Sequence, residues 1–281
     1  MTSRALQSRR GTVAANATAL VVFVLFAFPV YWMVSTAFKP AGDIRTFNIS
    51  LIPHSVTLNN FRTAIHAAGF WTYLRNSVLV SLSVTVLAVL VALLAATAVA
   101  RFGFRGRRAY LLVILIVQMV PLEALVIPMY LTLRDADLLN LVPVLVATYM
   151  AFVLPFTIWT LRGFVANVPK ELEEAAMVDG SSRTRAFFTI TFPLIAPGLV
   201  ATAVFAFIQA WNEFIFALVI MNRPEHQTLP VWLQAFNEGA KGTDWGGVMA
   251  GSTLMAVPVI IFFLAVQRRM TGGLMAGAVK G

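Results

Sequence analysis

Two carboxylates, Glu123 and Glu213, stand inside apolar stretches that are long enough to cross a lipid bilayer. An ionisable group at that depth is costly, and it ordinarily marks a solute pathway or a buried partner. Glu123 lies between Pro121 and Pro128, which predict a bent helix with freed backbone carbonyls. Two interpretations stay open: Glu123 lines a transport cavity, or it satisfies a freed backbone group or an arginine of another chain. Proton coupling is a weaker third, because a proton relay needs several linked carboxylates or histidines.

Glu213 belongs to a polar stripe if its stretch is one continuous helix, because Gln209, Asn212 and Phe216 then share its face. Such a stripe suits a solute that carries hydroxyl groups, with Trp211 or Phe216 offering an aromatic ring. The amides equally favour hydrogen bonds between helices of neighbouring chains. The candidate pathway residues are Gln118, Glu123, Gln209, Trp211, Asn212, Glu213 and Phe216.

The sequence lacks the side chains that most enzyme chemistry needs. It has no cysteine and three histidines, His54, His66 and His226, all in predicted external loops. Residues 239–242 (Gly-Ala-Lys-Gly) have neither the spacing nor the strand context of a phosphate-binding loop. We therefore predict no catalytic residue, metal or cofactor on this chain. An ion-driven carrier is a weaker alternative, because neither an internal repeat nor a midplane ion site is visible.

The composition describes a protein that lies mostly in lipid. Of the 281 residues, 59% are hydrophobic and 12% are charged, and the mean hydropathy is +0.81. Soluble domains carry roughly 25% charged residues, so this chain cannot cover its own surface with charge. The net charge of +9 is explained by basic residues beside apolar runs, and nucleic-acid binding is not predicted.

Apolar runs near the roughly 20 residues that cross a bilayer as a helix occur in six places. The predicted spans are residues 14–38, 76–100, 109–133, 138–161, 193–221 and 246–266. The predicted fold class is therefore all-α and integral to the membrane, with a single transmembrane domain over residues 1–281. Six spans place both termini on the same side.

The distribution of basic residues predicts which side that is. Fourteen of the 21 Lys and Arg residues fall on the side of the termini, which indicates that both termini are cytoplasmic. The longest external loops, 39–72 and 222–245, are too short for a folded domain. We therefore expect the capture of a scarce solute to fall to another protein.

The longest predicted cytoplasmic loop, residues 163–192, reads as two short helices. Pro169 suits the first turn of the first helix, and Gly180 is a natural stop at its end. Ser181 or Ser182 can cap the second helix. The first helix carries three glutamates, which disfavour contact with an anionic membrane surface and favour docking into a partner protein, with Glu174 available to an arginine.

This loop also resembles a known motif. Its pattern is similar to the EAA loop in the membrane subunits of bacterial ATP-binding-cassette (ABC) importers, E-A-A-x-x-x-G, nine residues, then I-x-L-P, with phenylalanine here in place of the leucine. The matching residues are Glu174, Ala175, Ala176, Gly180, Ile190 and Pro193. Weaker similarity to the MalG-like sugar permeases (carbohydrate uptake type 1) continues at Trp211-Asn212, Leu229-Pro230-Val231, Gly273-Leu274 and Gly277-Ala278-Val279-Lys280-Gly281.

The resemblance implies a permease in the bacterial inner membrane that forms half of a sugar pathway. Its partners would be a second permease, two ATPase subunits that hold ATP and Mg²⁺, and an extracytoplasmic solute-binding protein. The cytoplasmic tail, 268–281, would lie near the ATPases. A di- or oligosaccharide is the expected solute, and glycerol 3-phosphate is the alternative. The residues expected to couple to the ATPase are Glu171, Leu172, Glu174, Ala175, Ala176, Met177, Asp179 and Gly180.

Overall fold

The computed structural model describes residues 2–46, 50–67, 69–237 and 242–277, with side chains described only between residues 15 and 267. The described residues are almost entirely helical. In chain order the α-helices are α1 Thr2–Ala37, α2 Ala41–Ile44, α3 Asn59–His66, α4 Phe70–Arg101, α5 Arg107–Val117, α6 Val126–Asp135, α7 Val142–Asn167, α8 Lys170–Val178, α9 Arg183–Ala186, α10 Phe192–Leu194, α11 Ala196–Asn212, α12 Ile215–Ile220, α13 Leu229–Trp232 and α14 Trp245–Gly277.

Short segments of other helix types complete the backbone. A π-helical turn connects α9 to α10, and 3₁₀ turns precede α6 and flank α13. They are Leu122–Leu125, Phe187–Thr191, Pro224–His226 and Leu233–Phe236.

Four helices are long and apolar enough to cross a membrane, and each matches a predicted span. They cover Ala15–Ala37, Phe70–Arg101, Val142–Asn167 and Trp245–Gln267. The membrane-protein class follows from these four, and the number of crossings rises to six if two bent helix pairs each count as one span.

The third and fifth predicted spans are not continuous helices. The third divides into Arg107–Val117 and Leu122–Asp135, with a bend of 86° between the parts. The fifth, predicted from Pro193, begins at the end of the segment Arg183–Leu194, bends by 69° into Ala196–Asn212, and then breaks again before α12. The expectation of a proline-induced bend in the third span is confirmed. The single helical face expected around Glu213 is wrong, because the backbone is extended at that residue.

Prolines explain both large bends. Pro121 has no N–H to donate, and it disfavours helical backbone at the residue before it, so the helix of α5 cannot continue through it. Pro197, in the first turn of α11, likewise cannot donate to the carbonyl of Pro193 four residues earlier. Ile195 accordingly leaves the helical region, with φ −89° and ψ 1°.

Contacts divide the chain into two compact units. The first comprises Met1–Ala68 with Ala235–Ala256, and the second Gly69–Gln234 with Val257–Gly281. In the second unit α4, α7 and α11 pack against one another. Small residues on α4 permit this close approach, since Ala88, Ala92 and Ala96 are fully buried.

One end of α4 anchors a loop of the same unit. The Asn76 side chain donates to the backbone carbonyls of Glu225 and Gln227, at 2.9 Å each, and the Ser77 hydroxyl accepts from the amide of Leu229 at 2.7 Å. The loop that precedes α13 is therefore held to α4 by polar contacts at buried positions.

In the first unit, α1 is largely uncovered. Its large apolar side chains between residues 20 and 31 are mostly exposed, with Phe26 74% accessible. The end of α1 is better packed, because Asn60 of α3 donates to the carbonyls of Ala37 and Lys39 at 2.9 and 2.8 Å.

Candidate functional site

The helix that carries the predicted coupling residues, α8, has well-defined ends. Gly180 lies just beyond its last turn with φ +90°, a conformation that side-chain-bearing residues rarely adopt. The amide of Gly180 donates to Met177 O, and that of Ser181 donates to Ala176 O, which is the hydrogen-bond pattern of a Schellman motif. The stop predicted at Gly180 is therefore present.

The helix that follows is capped as the sequence suggests. The Ser182 hydroxyl accepts a hydrogen bond from the amide of Arg185 at 3.3 Å, so Ser182 rather than Ser181 is the capping residue. The two caps together give the loop two short helices with a tight turn between them.

The two faces of α8 differ in their surroundings. Glu174 and Ala175 are exposed, together with Leu172 and Val178, of which Val178 is 87% accessible. Of the remaining predicted coupling residues, Ala176 and Met177 are partly covered by the chain, whereas Glu171, Asp179 and Gly180 are exposed. The uncovered face thus combines a carboxylate, a small residue and apolar side chains.

Glu173, which the sequence analysis did not select, faces the interior of the chain. Its carboxylate lies 2.8 Å from the guanidinium of Arg101, and the two side chains are only 13% and 8% exposed. The Thr191 hydroxyl, at the end of the π-helical turn, donates to the same carboxylate. One glutamate of α8 is therefore bonded to two other elements of its unit.

Arg101 extends this network to the segment before α8. Its Nη1 group donates to the carbonyl of Val168 at 3.0 Å. The last residue of α4 is thus bonded both to α8 and to the segment that precedes it. In the sequence, Arg101 appears as one of several loop arginines, and a basic residue that directly ends an apolar span is the one signal that sets it apart.

A cavity of about 470 Å³ lies between the same end of α4 and the α8–α9 segment. Apolar side chains, including Leu94, Met177 and Phe188, form much of its wall, and Lys170 and Arg183 add positive charge.

The predicted stripe of span five does not exist as one helical face, since the backbone is extended at Glu213. The break leaves the first backbone amides of α12 without helical acceptors. The Glu213 carboxylate accepts hydrogen bonds from two of these amides, Phe216 N at 2.8 Å and Ala217 N at 3.0 Å. The Tyr149 hydroxyl also donates to this carboxylate, at 2.5 Å. Glu213 therefore has a structural role inside the chain.

The other candidates of span five separate for the same reason. Trp211 is 1% exposed and stacks on Phe207, with ring centroids 5.5 Å apart. Gln209 and Asn212 are exposed, and Asn212 donates to the carbonyl of Ile208. Trp211 is thus covered by its own chain, whereas the two amides are available to another molecule.

The bend in the third span brings two of the predicted pathway residues together. Gln118 and Phe216 both line a cavity of about 320 Å³, whose wall also includes Thr148 and the rings of Phe152 and Phe205. Glu123 is exposed and is not part of that wall. In the described ranges, with their gaps at 47–49, 68 and 238–241, no three His, Asp or Glu residues form a group that could hold a metal ion.

The helical architecture, the long apolar spans and the capped α8 segment define a class, the all-α membrane permeases. The family of binding-protein-dependent transport system inner membrane components matches residues 88–273. The chain belongs to this family of ABC importer permeases, and it resides in the bacterial inner membrane.

Several named permeases are similar to this chain over nearly its whole length. The diacetylchitobiose uptake system permease protein DasC of Streptomyces coelicolor is 49% identical over 271 residues, covering 96% of this chain and 98% of the relative. The trehalose transport system permease protein SugB of Mycobacterium tuberculosis is 37% identical over 275 residues, covering 98% and 99%.

A solved structure has a similar fold. One chain of a bacterial ABC transporter involved in the import of the acidic polysaccharide alginate superposes with a TM-score of 0.74, at 22% identity, over 93% of this chain and 97% of that one. At this identity the likeness establishes the fold alone.

Proposed function

We propose that the chain forms half of the translocation pathway for a di- or oligosaccharide in an ABC importer. The observation that carries the proposal is the 49% identity to a diacetylchitobiose permease over 96% of the chain. The trehalose permease adds a second sugar-transporting relative of equal coverage. The absence of a basic cluster within the spans agrees with a neutral solute.

The proposed topology has six crossings, with each bent pair contributing one span, the fifth span beginning at Pro193, and both termini in the cytoplasm. The excess of basic residues on the side of the termini supports this orientation. Residues 1–281 then act as one transmembrane domain, with the coupling loop 163–192 in the cytoplasm. The tail 268–281 is assigned to the cytoplasm by the same argument, and its side chains lie outside the described residues.

The proposed partners are a second permease, two ATPase subunits and an extracytoplasmic solute-binding protein. ATP and Mg²⁺ are held by the ATPases, and this chain carries out no hydrolysis. The exposed face of α8, with Glu174 beside Ala175, supports docking into a cleft of the ATPase that offers an arginine. A related complex, described as an alginate ABC transporter with an alginate pentasaccharide-bound periplasmic protein, has a chain of similar fold with a TM-score of 0.65.

In the proposed mechanism, ATP binding closes the paired ATPases, which move the docked α8 helices. The Arg101–Glu173 pair joins α8 to α4, so that motion of α8 is passed to a membrane span. The pathway then opens outward to receive the solute, and hydrolysis resets it.

The proposal is tested with the complete transporter in proteoliposomes. Glu174→Arg places a cation against the expected arginine, and Gly180→Val strains a backbone with φ +90°. Both variants are expected to assemble in the membrane and to lose most sugar uptake and sugar-stimulated ATP hydrolysis. Lys170→Gln, on the same helix, is the matched control. Normal uptake by both variants would contradict coupling through α8, and uptake of glycerol 3-phosphate in place of sugars would contradict the solute class.

A further inference from the structure

A second cavity, of about 320 Å³, lies in the first unit between the end of α1, α2 and the start of α14. The indole rings of Trp32 and Trp245 form two parts of its wall. Its volume falls at the lower end of the roughly 300–1,000 Å³ of small-molecule sites. The cavity is thus large enough for a ligand of about one or two sugar rings.

Two hydroxyl groups in this wall are buried without a partner. Thr36 is 4% exposed, and neither its Oγ1 nor the Oγ of Ser50 has a hydrogen bond within the part of the chain that the structure describes. Buried hydroxyls are almost always hydrogen-bonded, so an unpaired pair that lines a cavity indicates a polar occupant.

A buried ammonium group adds further donors. Lys39 is 2% exposed, and its Nζ lies 4.2 Å from the centre of the Trp32 ring and donates to the carbonyl of Ser50 at 2.6 Å. The half-buried carboxylate of Asp43 lines the same cavity. Because one positive and one negative group face the space, a neutral ligand suits it better than a phosphate or a carboxylate.

The walls are held in place by contacts outside the cavity. Asn60 donates to the carbonyls of Ala37 and of Lys39 itself, which fixes the turn at the end of α1. Arg45, which follows α2, donates to the carbonyl of Thr243 at 3.2 Å, close to the start of α14. The site is therefore formed before a ligand arrives, which lowers the ordering cost of binding.

We propose that this cavity is a carbohydrate subsite on the extracytoplasmic face, which receives the sugar before it enters the spans. The inference rests on the proposed function for the class of solute and for the side of the membrane. The half-exposed indole of Trp245 packs against the apolar face of a sugar ring, while hydroxyl, ammonium and carboxylate groups bond its hydroxyls. The alternative explanation for the two tryptophans is a belt at the membrane interface, but such a belt does not account for the buried polar groups of Thr36, Ser50 and Lys39.

The first test measures uptake of diacetylchitobiose, trehalose and maltose by the complete transporter, with its binding protein, in proteoliposomes. Thr36→Val, Ser50→Ala and Trp245→Ala are each expected to raise the KM for the transported sugar about three- to tenfold, the range for one lost contact. Ser55→Ala, an exposed hydroxyl of the same loop, and Trp71→Ala, an exposed tryptophan, are expected to keep the wild-type KM. Unchanged KM in all three cavity variants overturns the subsite and leaves the proposed function standing.

The second test locates the sugar directly. A diazirine-bearing trehalose is expected to label the peptide that contains Trp245 and Met249, in competition with free trehalose, and to lose that label in Thr36→Val. Labelling of other regions alone, or preferential labelling of this peptide by a diazirine-bearing phosphatidylethanolamine, overturns the subsite. Failure of every sugar in the uptake assay contradicts the proposed function, and the labelling result then still decides the subsite.

Discussion

At the scale of single residues, the Arg101–Glu173 pair shows how a membrane span is joined to a peripheral helix. Both side chains are almost fully covered, so each charge depends on the other for its stabilisation. Removing one partner of a buried ion pair leaves an uncompensated charge, which costs about 3–5 kcal/mol, whereas replacing both by apolar residues is often neutral. The pair therefore lends itself to a double-mutant comparison.

Arg101→Met is expected to lower the free energy of unfolding of the assembled transporter by about 3 kcal/mol, because Glu173 is left buried and unpaired. Thermal unfolding in nanodiscs measures the loss. The double variant Arg101→Met with Glu173→Met should recover most of the stability while sugar-stimulated ATP hydrolysis stays low, since the directional bond to α8 is gone. Recovery of both quantities would show that the pair serves stability alone.

Glu213 yields a second residue-scale prediction. Glu213→Leu should lower the free energy of unfolding by about 1.5–3 kcal/mol or more, because hydrogen bonds to a charged group from two amides and from Tyr149 are lost. Gln209→Ala, at an exposed position of the preceding helix, should leave the melting temperature unchanged. A Glu213→Leu protein of normal stability with a raised KM for sugar would instead indicate contact with the solute.

At the scale of helices, small residues allow the central spans to approach closely. A side chain at Gly198 of α11 would place its first carbon 2.4 Å from the ring of Phe164 on α7. Gly163, one residue before that phenylalanine, has open space in the same position. Two glycines that look alike in the sequence therefore have opposite tolerance to substitution.

Gly198→Leu should destabilise the permease by about 1–3 kcal/mol, the usual cost of overpacking, whereas Gly163→Leu should be neutral or slightly stabilising in a helix. Thermal stability in detergent and the yield of assembled transporter compare the two variants. Equal loss in both would mean that helix α11 does not pack on α7 through Gly198.

The helices also show the limit of prediction from apolar runs. Four spans were predicted to within six residues at either end, because a long uncharged run has no other stable backbone conformation in lipid. The helical face expected around Glu213 was wrong, because the break before α12 is stabilised by Glu213 together with Tyr149, which lies 64 residues away. No local pattern records that partner.

At the scale of the whole molecule, the charge distribution and the lipid-facing surface define how the chain sits in its membrane. The apolar side chains of α1 are mostly uncovered, so lipid or another apolar surface must cover them. The proposed orientation depends on the basic residues and can be tested directly, because the natural sequence contains no cysteine.

Ser55→Cys is expected to react with a membrane-impermeant maleimide in cells whose envelope outside the inner membrane has been made permeable. The reason is that the loop after α1 is external in the proposed topology. Gly103→Cys, in an exposed loop where a side chain meets no neighbouring atom, should react only after the inner membrane is opened. Labelling is read by mass shift on the purified chain. The reverse pattern would invert the topology.

The sequence by itself determined the membrane class, the four continuous spans, the capped helix pair of loop 163–192 and the resemblance to importer permeases. These depend on hydrophobicity, on turn chemistry and on short-range spacing, all of which are local. Only the tertiary structure decided that Glu173 rather than Glu174 bonds to α4, that Glu213 caps a helix, and that Thr36 and Ser50 face a cavity unpaired. Those assignments depend on which residues, distant in the sequence, contact one another in the folded chain. The sequence does not distinguish a glutamate that is bonded to another helix from one that is exposed.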